Sequence, residues 1–199
     1  MRSTASLSTK LIRIGAALLV LALASISLTL WVTRQLEGGA AAVNEAGRMR
    51  MQAWRLTSAV QAQRPPAELQ ALVQQFDQGL SLLREGDASR PLFVPWDEDV
   101  RREFTAVERL WQAQRALWNT PLQPDDPVLL RSADEFVQAI DRLVLAIEHQ
   151  LSGFTALLNL FQFAMMVLAI AGAVVMLYTG YLYVISPLSQ LRRGLEQIE

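Results

Sequence analysis

The sequence has no cysteine, a single lysine and a single histidine. Without cysteine there are no disulfides, no thiolate metal sites and no cysteine nucleophile. An extracytoplasmic domain built this way must be stabilised by packing alone. No glycine-rich phosphate loop and no metal-ligand spacing is present. No metal, no cofactor and no enzyme activity is therefore expected within these residues. Lys10 is the only lysine, so arginine carries nearly all the positive charge. That excess reads as genomic bias and lowers the weight of any single arginine.

Charge is also missing locally. Ile14 to Val32, IGAALLVLALASISLTLWV, carries none, and about 19 residues suffice for one bilayer crossing. Arg2, Lys10 and Arg13 precede it with no acid among them, which keeps the N-terminus in the cytoplasm by the positive-inside rule. A cleaved signal peptide is the alternative, but the apolar run is longer than a signal core, and Arg34 and Glu37 intervene before the small residues Ala40, Ala41 and Ala42. From Gln150 to Leu191 there is again no acid, arginine or lysine, and the most apolar part is Leu160 to Ile185. Tyr178, Tyr181 and Tyr183 mark the inner interface, followed by Arg192 and Arg193. The expected organisation is a cytoplasmic N-terminus (1–13), a first transmembrane helix (14–33), an external domain (34–157), a second transmembrane helix (158–185) and a cytoplasmic segment (186–199). The expectation is a two-pass membrane protein with lipid around its spans and both ends inside; in a Gram-negative bacterium the membrane is the inner one and the domain faces the periplasm.

The external segment carries 13 arginines against 17 acids between Arg34 and Glu148; this mild acidity argues against nucleic acid as a partner. It reads as helices throughout. Arg64-Pro65-Pro66 ends a first helix. Leu69, Leu72, Val73, Phe76, Leu80 and Leu83 form the stripe of a second, stopped by Gly86-Asp87. The acid-rich WDEDV starts a third, where carboxylates complement the helix dipole. Asp126 and Pro127 cap and start a fourth, with Phe136, Ile140, Leu143, Val144, Ile147 and Leu151 on its apolar face. The fold class is all-α: an antiparallel four-helix bundle flanked by two transmembrane helices. Gly38-Gly39 is expected to weaken the first helix as a kink or loose turn.

After the second apolar block, Pro187 is followed by Leu188, Leu191, Leu195 and Ile198. Their spacing makes a short coiled-coil seam. Proline plus heptad just inside the membrane resembles the start of a HAMP linker, with any amphipathic cytoplasmic helix as the alternative. A seam needs a partner and continuation, so the chain is expected to be part of a longer receptor.

The most informative stretch is NEAGRMRMQAWRL, Asn44 to Leu56. On a helical wheel with Arg50 at zero, Val43 and Thr57 lie within about 20°, Trp54 at about 40° and Gly47 at about 60°. Ala46, Met49, Ala53, Leu56 and Val60 form the core stripe beside them. Arg48 and Arg55 lie on the far side, solvated or paired with surface acids. Arg50 sits at the core edge and needs an acceptor. An internal acid such as Glu45 or one on another helix, water reached by snorkelling, or a ligand anion could each serve. Gly47, one turn before it, costs roughly 1 kcal/mol in mid-helix, which calls for a packing or binding reason. In a symmetric dimer two Arg50 side chains would face each other. At about 4 Å and an effective dielectric near 20 they repel by roughly 4 kcal/mol. A planar oxyanion or carboxylate between the two forks turns that into attraction.

AGRMRMQAWRL resembles the P box of the nitrate/nitrite sensor histidine kinases, approximately A-G-S-L-R-M-Q-S-Y-R-L, at Ala46, Gly47, Arg50, Met51, Gln52, Arg55 and Leu56. The same segment opens the related sensor domain of type IV pilus methyl-accepting chemotaxis transducers. The resemblance implies a homodimer that holds nitrate or nitrite between its first helices through Arg50 and the backbone of Gly47, with Arg48, Trp54, Val43 and Arg55 as secondary candidates. It also implies relay through Pro187, Leu188, Leu191, Leu195 and Ile198 to a cytoplasmic histidine kinase and its response regulator. This sequence departs from the pattern at Arg48, Met49, Ala53 and Trp54; the extra charge of Arg48 bears on anion choice. Two alternatives stay open: a chemoreceptor or other output with a different ligand or none, and an assembly protein whose tryptophans anchor a protein partner. His149, near the outer end of the second block, reads as a bundle or interface residue.

Overall fold

The computed structural model describes residues 7–87, 89–118 and 127–181. Four helices fill them: α1 (Leu7–Gln61), α2 (Pro66–Glu85), α3 (Glu98–Trp118) and α4 (Pro127–Gly180). The all-α expectation holds. Asp126 and the seam residues Pro187, Leu188, Leu191, Leu195 and Ile198 lie outside the described residues.

Local chemistry explains the helix ends. Arg64 N–H donates to Ala59 O and Gln63 N–H to Val60 O, both at 3.0 Å, with Gln63 at φ 48°. This is a Schellman closure with glutamine at the left-handed position, and Pro65 bars continuation. Gly86 ends α2 at φ 75°; a Cβ there would also press on the Leu92 carbonyl, so glycine is required twice over. Asp97 caps α3, its carboxylate accepting from Val100 N–H at 2.7 Å.

Leu28–Ala156 forms one compact unit. Within it Met49 of α1 packs at Gly79 of α2. Asp77 and Arg84 of α2 bond to Trp111 and Glu108 of α3. Gln114 and Glu103 of α3 reach Ser132 and Arg142 of α4. Gly39 and Arg50 of α1 meet Leu151 and Asp141 of α4. Each helix thus runs antiparallel to its neighbours around an up-down-up-down ring. Phe76, Trp111 and Phe136 meet at the centre, with Phe76 stacked on Trp111 at 4.0 Å and tilted to Phe136 at 5.3 Å. The core stripe expected on α1 is buried at Ala46, Met49, Ala53 and Leu56, while Val60 is half-buried.

The expectation at Gly38-Gly39 is corrected. α1 passes through both glycines without a break. A Cβ on Gly38 would overlap the Phe93 ring, and one on Gly39 would overlap Leu151. Both positions are buried. The glycines admit close neighbours, which helix propensity alone does not reveal.

The second unit comprises the described parts of Met1–Ser27 and Leu157–Glu199. α1 and α4 each carry a stretch long and apolar enough to cross a membrane. Leu19, Val20, Leu160 and Leu177 expose their side chains there. These features are compatible with two membrane spans.

Candidate ligand-binding face

The stripe expected around Arg50 is divided between the inside and outside of the bundle. Thr57 is buried, and its hydroxyl donates to Ala53 O at 2.9 Å. Val43 is half-buried and packs on the core. Trp54 and Met51 are exposed, at 44% and 63%. Gly47 is half-buried, yet nothing lies within 4 Å of where its Cβ would be. Gly47, Arg50, Met51 and Trp54 therefore share an outward face of α1 that is small and apolar apart from the guanidinium.

Arg50 takes an acid on another helix. Its Nη1 donates to Asp141 Oδ1 of α4 at 2.6 Å, with both side chains close to half exposed. Arg48 differs from expectation: its acid is buried, not on the surface. Arg48 Nη2 donates to both oxygens of Glu45 at 2.7 Å, and the Glu45 side chain is only 4% exposed. Arg90, on the loop between α2 and α3, approaches the same carboxylate at 3.8 Å. A buried carboxylate requires such compensation. Glu45, one candidate for Arg50, is thus committed to Arg48. Arg55 is exposed.

The loop between α2 and α3 is itself tied down. Asp87 accepts from Ser89 N–H at 2.9 Å, from Ser89 Oγ at 2.6 Å and from Arg90 Nε at 3.0 Å. The Ser89 hydroxyl and amide hold its carboxyl below the usual range, with Arg90 adding to the effect. Phe93 N–H reaches Gly38 O at 3.4 Å. This loop grips α1 on the side opposite Arg50.

Two surface clefts lie elsewhere. One, of about 430 Å³ beside α2 and α3, is lined by Asp77, Arg84, Glu108 and Arg109. Its charges are largely matched: Arg84 pairs with Glu108, and Asp77 accepts from Trp111 and pairs with Arg115. The other, of about 280 Å³ at the start of α3 against α4, holds Asp97, Arg102, Glu103, Arg142 and exposed His149. Neither includes Arg50 or Gly47. No group of three or more metal-binding side chains occurs among the described residues. Of the tryptophans, Trp111 is core, Trp96 packs on Phe104 at 5.1 Å, and Trp54 faces out.

The sequence reading missed Asp141. It flanks the α4 apolar stripe beside Ile140, which was a usable signal, but the wheel of α1 says nothing about how α4 is rotated. It also missed Arg90 as a second cation on Glu45.

A helical bundle entered and left by helices with apolar, span-length stretches has the layout of a receptor input module. Residues 31–136 match the family of type IV pili methyl-accepting chemotaxis transducer N-terminal domains (PilJ), just over half of the chain. The chain belongs to that family, and its bundle is the sensor input domain of a transmembrane receptor of that type. No curated protein matches the chain significantly.

Proposed function

We propose that this sensor binds nitrate or nitrite outside the membrane, between the α1 helices of two copies. Gly47 is the observation that carries the reading. Its mid-helix cost, roughly 1 kcal/mol, is offset by no close contact within the chain, in contrast to Gly38 and Gly39. A second copy across a two-fold axis supplies a reason: it brings exposed Met51 and Trp54 out of water and leaves room beside two Arg50 guanidinium groups. Nitrate is planar and carries one negative charge, so it accepts from both forks. Arg48 is occupied by Glu45, which offsets its charge, and stands by as a secondary residue; Arg55, Val43 and Trp54 form the rim.

The external domain lies in the periplasm, both ends of the chain are cytoplasmic, and the helices relay the bound state through a HAMP linker to a histidine kinase. The anion acts by preferring one dimer arrangement. A second reading keeps the input and exchanges the output for a methyl-accepting transducer; the family match favours it by its description. In the intact receptor, autophosphorylation by ATP marks the kinase, and control of a separate kinase marks the transducer.

The test of the site is nitrate calorimetry on the detergent-solubilised chain. Arg50→Ala is expected to weaken nitrate at least tenfold, since charge-assisted bonds contribute about 1.5–3 kcal/mol. Equal binding by the variant removes Arg50 from the site. Sedimentation with and without nitrate tests the dimer.

A further inference from the structure

The acid that occupies Arg50 lies on α4, and this pairing carries a consequence for the same site. It rests on the reading of Arg50 as the anion ligand. From the geometry we infer that Asp141 is an internal competitor: its carboxylate holds the guanidinium that the external anion must take, and anion binding releases α4 from α1.

Three observations support this. Arg50 Nη1 and Asp141 Oδ1 are 2.6 Å apart, so the donor that faces Asp141 is engaged by a carboxylate, a near mimic of a planar oxyanion. Both side chains are close to half exposed, so the pair is weak enough to be broken by a ligand and can reform without burying charge. The pair is also the only ion pair between α1 and α4 among the described residues; the remaining pairs lie within elements, between α2 and α3, between α3 and α4, or from the α2–α3 loop to α1. An anion beside Arg50 repels the Asp141 carboxylate as well as replacing it. Binding and loss of the α1–α4 pair are therefore one event, and α4 is the helix that leads out of the bundle into the second apolar stretch.

The experiment is nitrate calorimetry on the full chain in detergent with four variants: Asp141→Asn, Asp141→Ala, Asp141→Glu and Arg50→Ala. Thermal melting checks that each folds. Asp141→Asn and Asp141→Ala are expected to bind nitrate about two- to fivefold tighter than the parent, the range set by an exposed ion pair. Asp141→Glu is expected to return toward the parent, and chloride, if it binds at Arg50, to gain affinity in Asp141→Ala by about the same factor as nitrate, because an internal competitor lowers the affinity of every competing anion alike. If Arg50→Ala abolishes binding while both neutral Asp141 variants bind as the parent or more weakly, the competitor is overturned and the site stands. If Arg50→Ala binds as the parent, or the parent itself binds no nitrate, the site reading falls and the competitor falls with it.

Discussion

The centre of the bundle and the inner face of α1 are packed in different ways. At the centre, α2, α3 and α4 each contribute one large ring, and Phe76, Trp111 and Phe136 are all fully buried. On α1 the buried positions of the bundle are mostly small or polar: Gly38, Gly39, Ala42, Ala46 and Ala53, with Glu45, Gln52 and Thr57. Met49 and Leu56 are its large buried side chains beside that centre. Rings interlock and resist displacement because a close-packed interior has few ways to refill a large hole. A face of small residues slides at lower cost. α2, α3 and α4 form the rigid frame, and α1, which carries Arg50 and Gly47, is the element suited to shift against it.

Substitutions at the two places should therefore differ. The largest effect is expected for Trp111→Ala, about 3–5 kcal/mol lost in a denaturant melt, because it empties the ring cluster and takes one of the donors from Asp77. A loss near that of an exposed residue would contradict a frame centred on these rings.

Alanine at the α1 glycines should act in opposite directions. Gly38→Ala must move the Phe93 ring and is expected to lose roughly 1–2 kcal/mol, overpacking set against the better helix propensity of alanine. Gly47→Ala meets no neighbour and is expected to gain about 1 kcal/mol, while weakening nitrate binding and dimer formation. A Gly47→Ala protein that is more stable and binds nitrate unchanged would separate the glycine from the site.

Gln52 sharpens the contrast from the polar side. Its Oε1 is buried with no hydrogen-bond partner, at the interface where α1 is weakly keyed. Gln52→Met is expected to stabilise by about 1 kcal/mol by removing an unsatisfied acceptor, and to slow the response to ligand by fixing α1. The measurements are melts and the rate of the nitrate-induced change.

The smallest effect concerns pH. The Asp87 carboxyl titrates below the ordinary carboxylate range, so its contribution is present above the unfolded value and is lost as pH falls through the depressed folded value. Protection of the Ser89 amide, taken relative to its intrinsic exchange rate at each pH, should fall in that acid window as the loop that carries Arg90 and Phe93 loosens. Asp87→Asn should remove the pH dependence.

Local signals in the sequence predicted most of the architecture. Proline breaks at Pro65-Pro66, the acid start at Asp97 and the 3.6-residue stripes on α2 and α4 all appear where helix physics places them. The wheel also separated Arg50 from Arg48 and Arg55. It failed where the cause lies far along the chain. Arg50 and Asp141 are 91 residues apart, and nothing local sets the rotation of α4 that joins them. Helix propensity marks Gly38-Gly39 as a weak point because it records only the cost of glycine, whereas the pair admits Phe93 and Leu151 from other elements. Glu45 was a candidate for Arg50, but i,i+3 geometry gives it to Arg48.

Among the five tryptophans of the chain, exposed Trp54 and buried Trp111 are two optical probes in contrasting surroundings. Indole emission shifts to the blue as water leaves the ring. Covering the outward face of α1 should move the Trp54 component and leave Trp111, stacked on Phe76, where it is. Replacing Trp54 with phenylalanine should silence that change, so the assembly of two copies can be followed by colour, with no label attached.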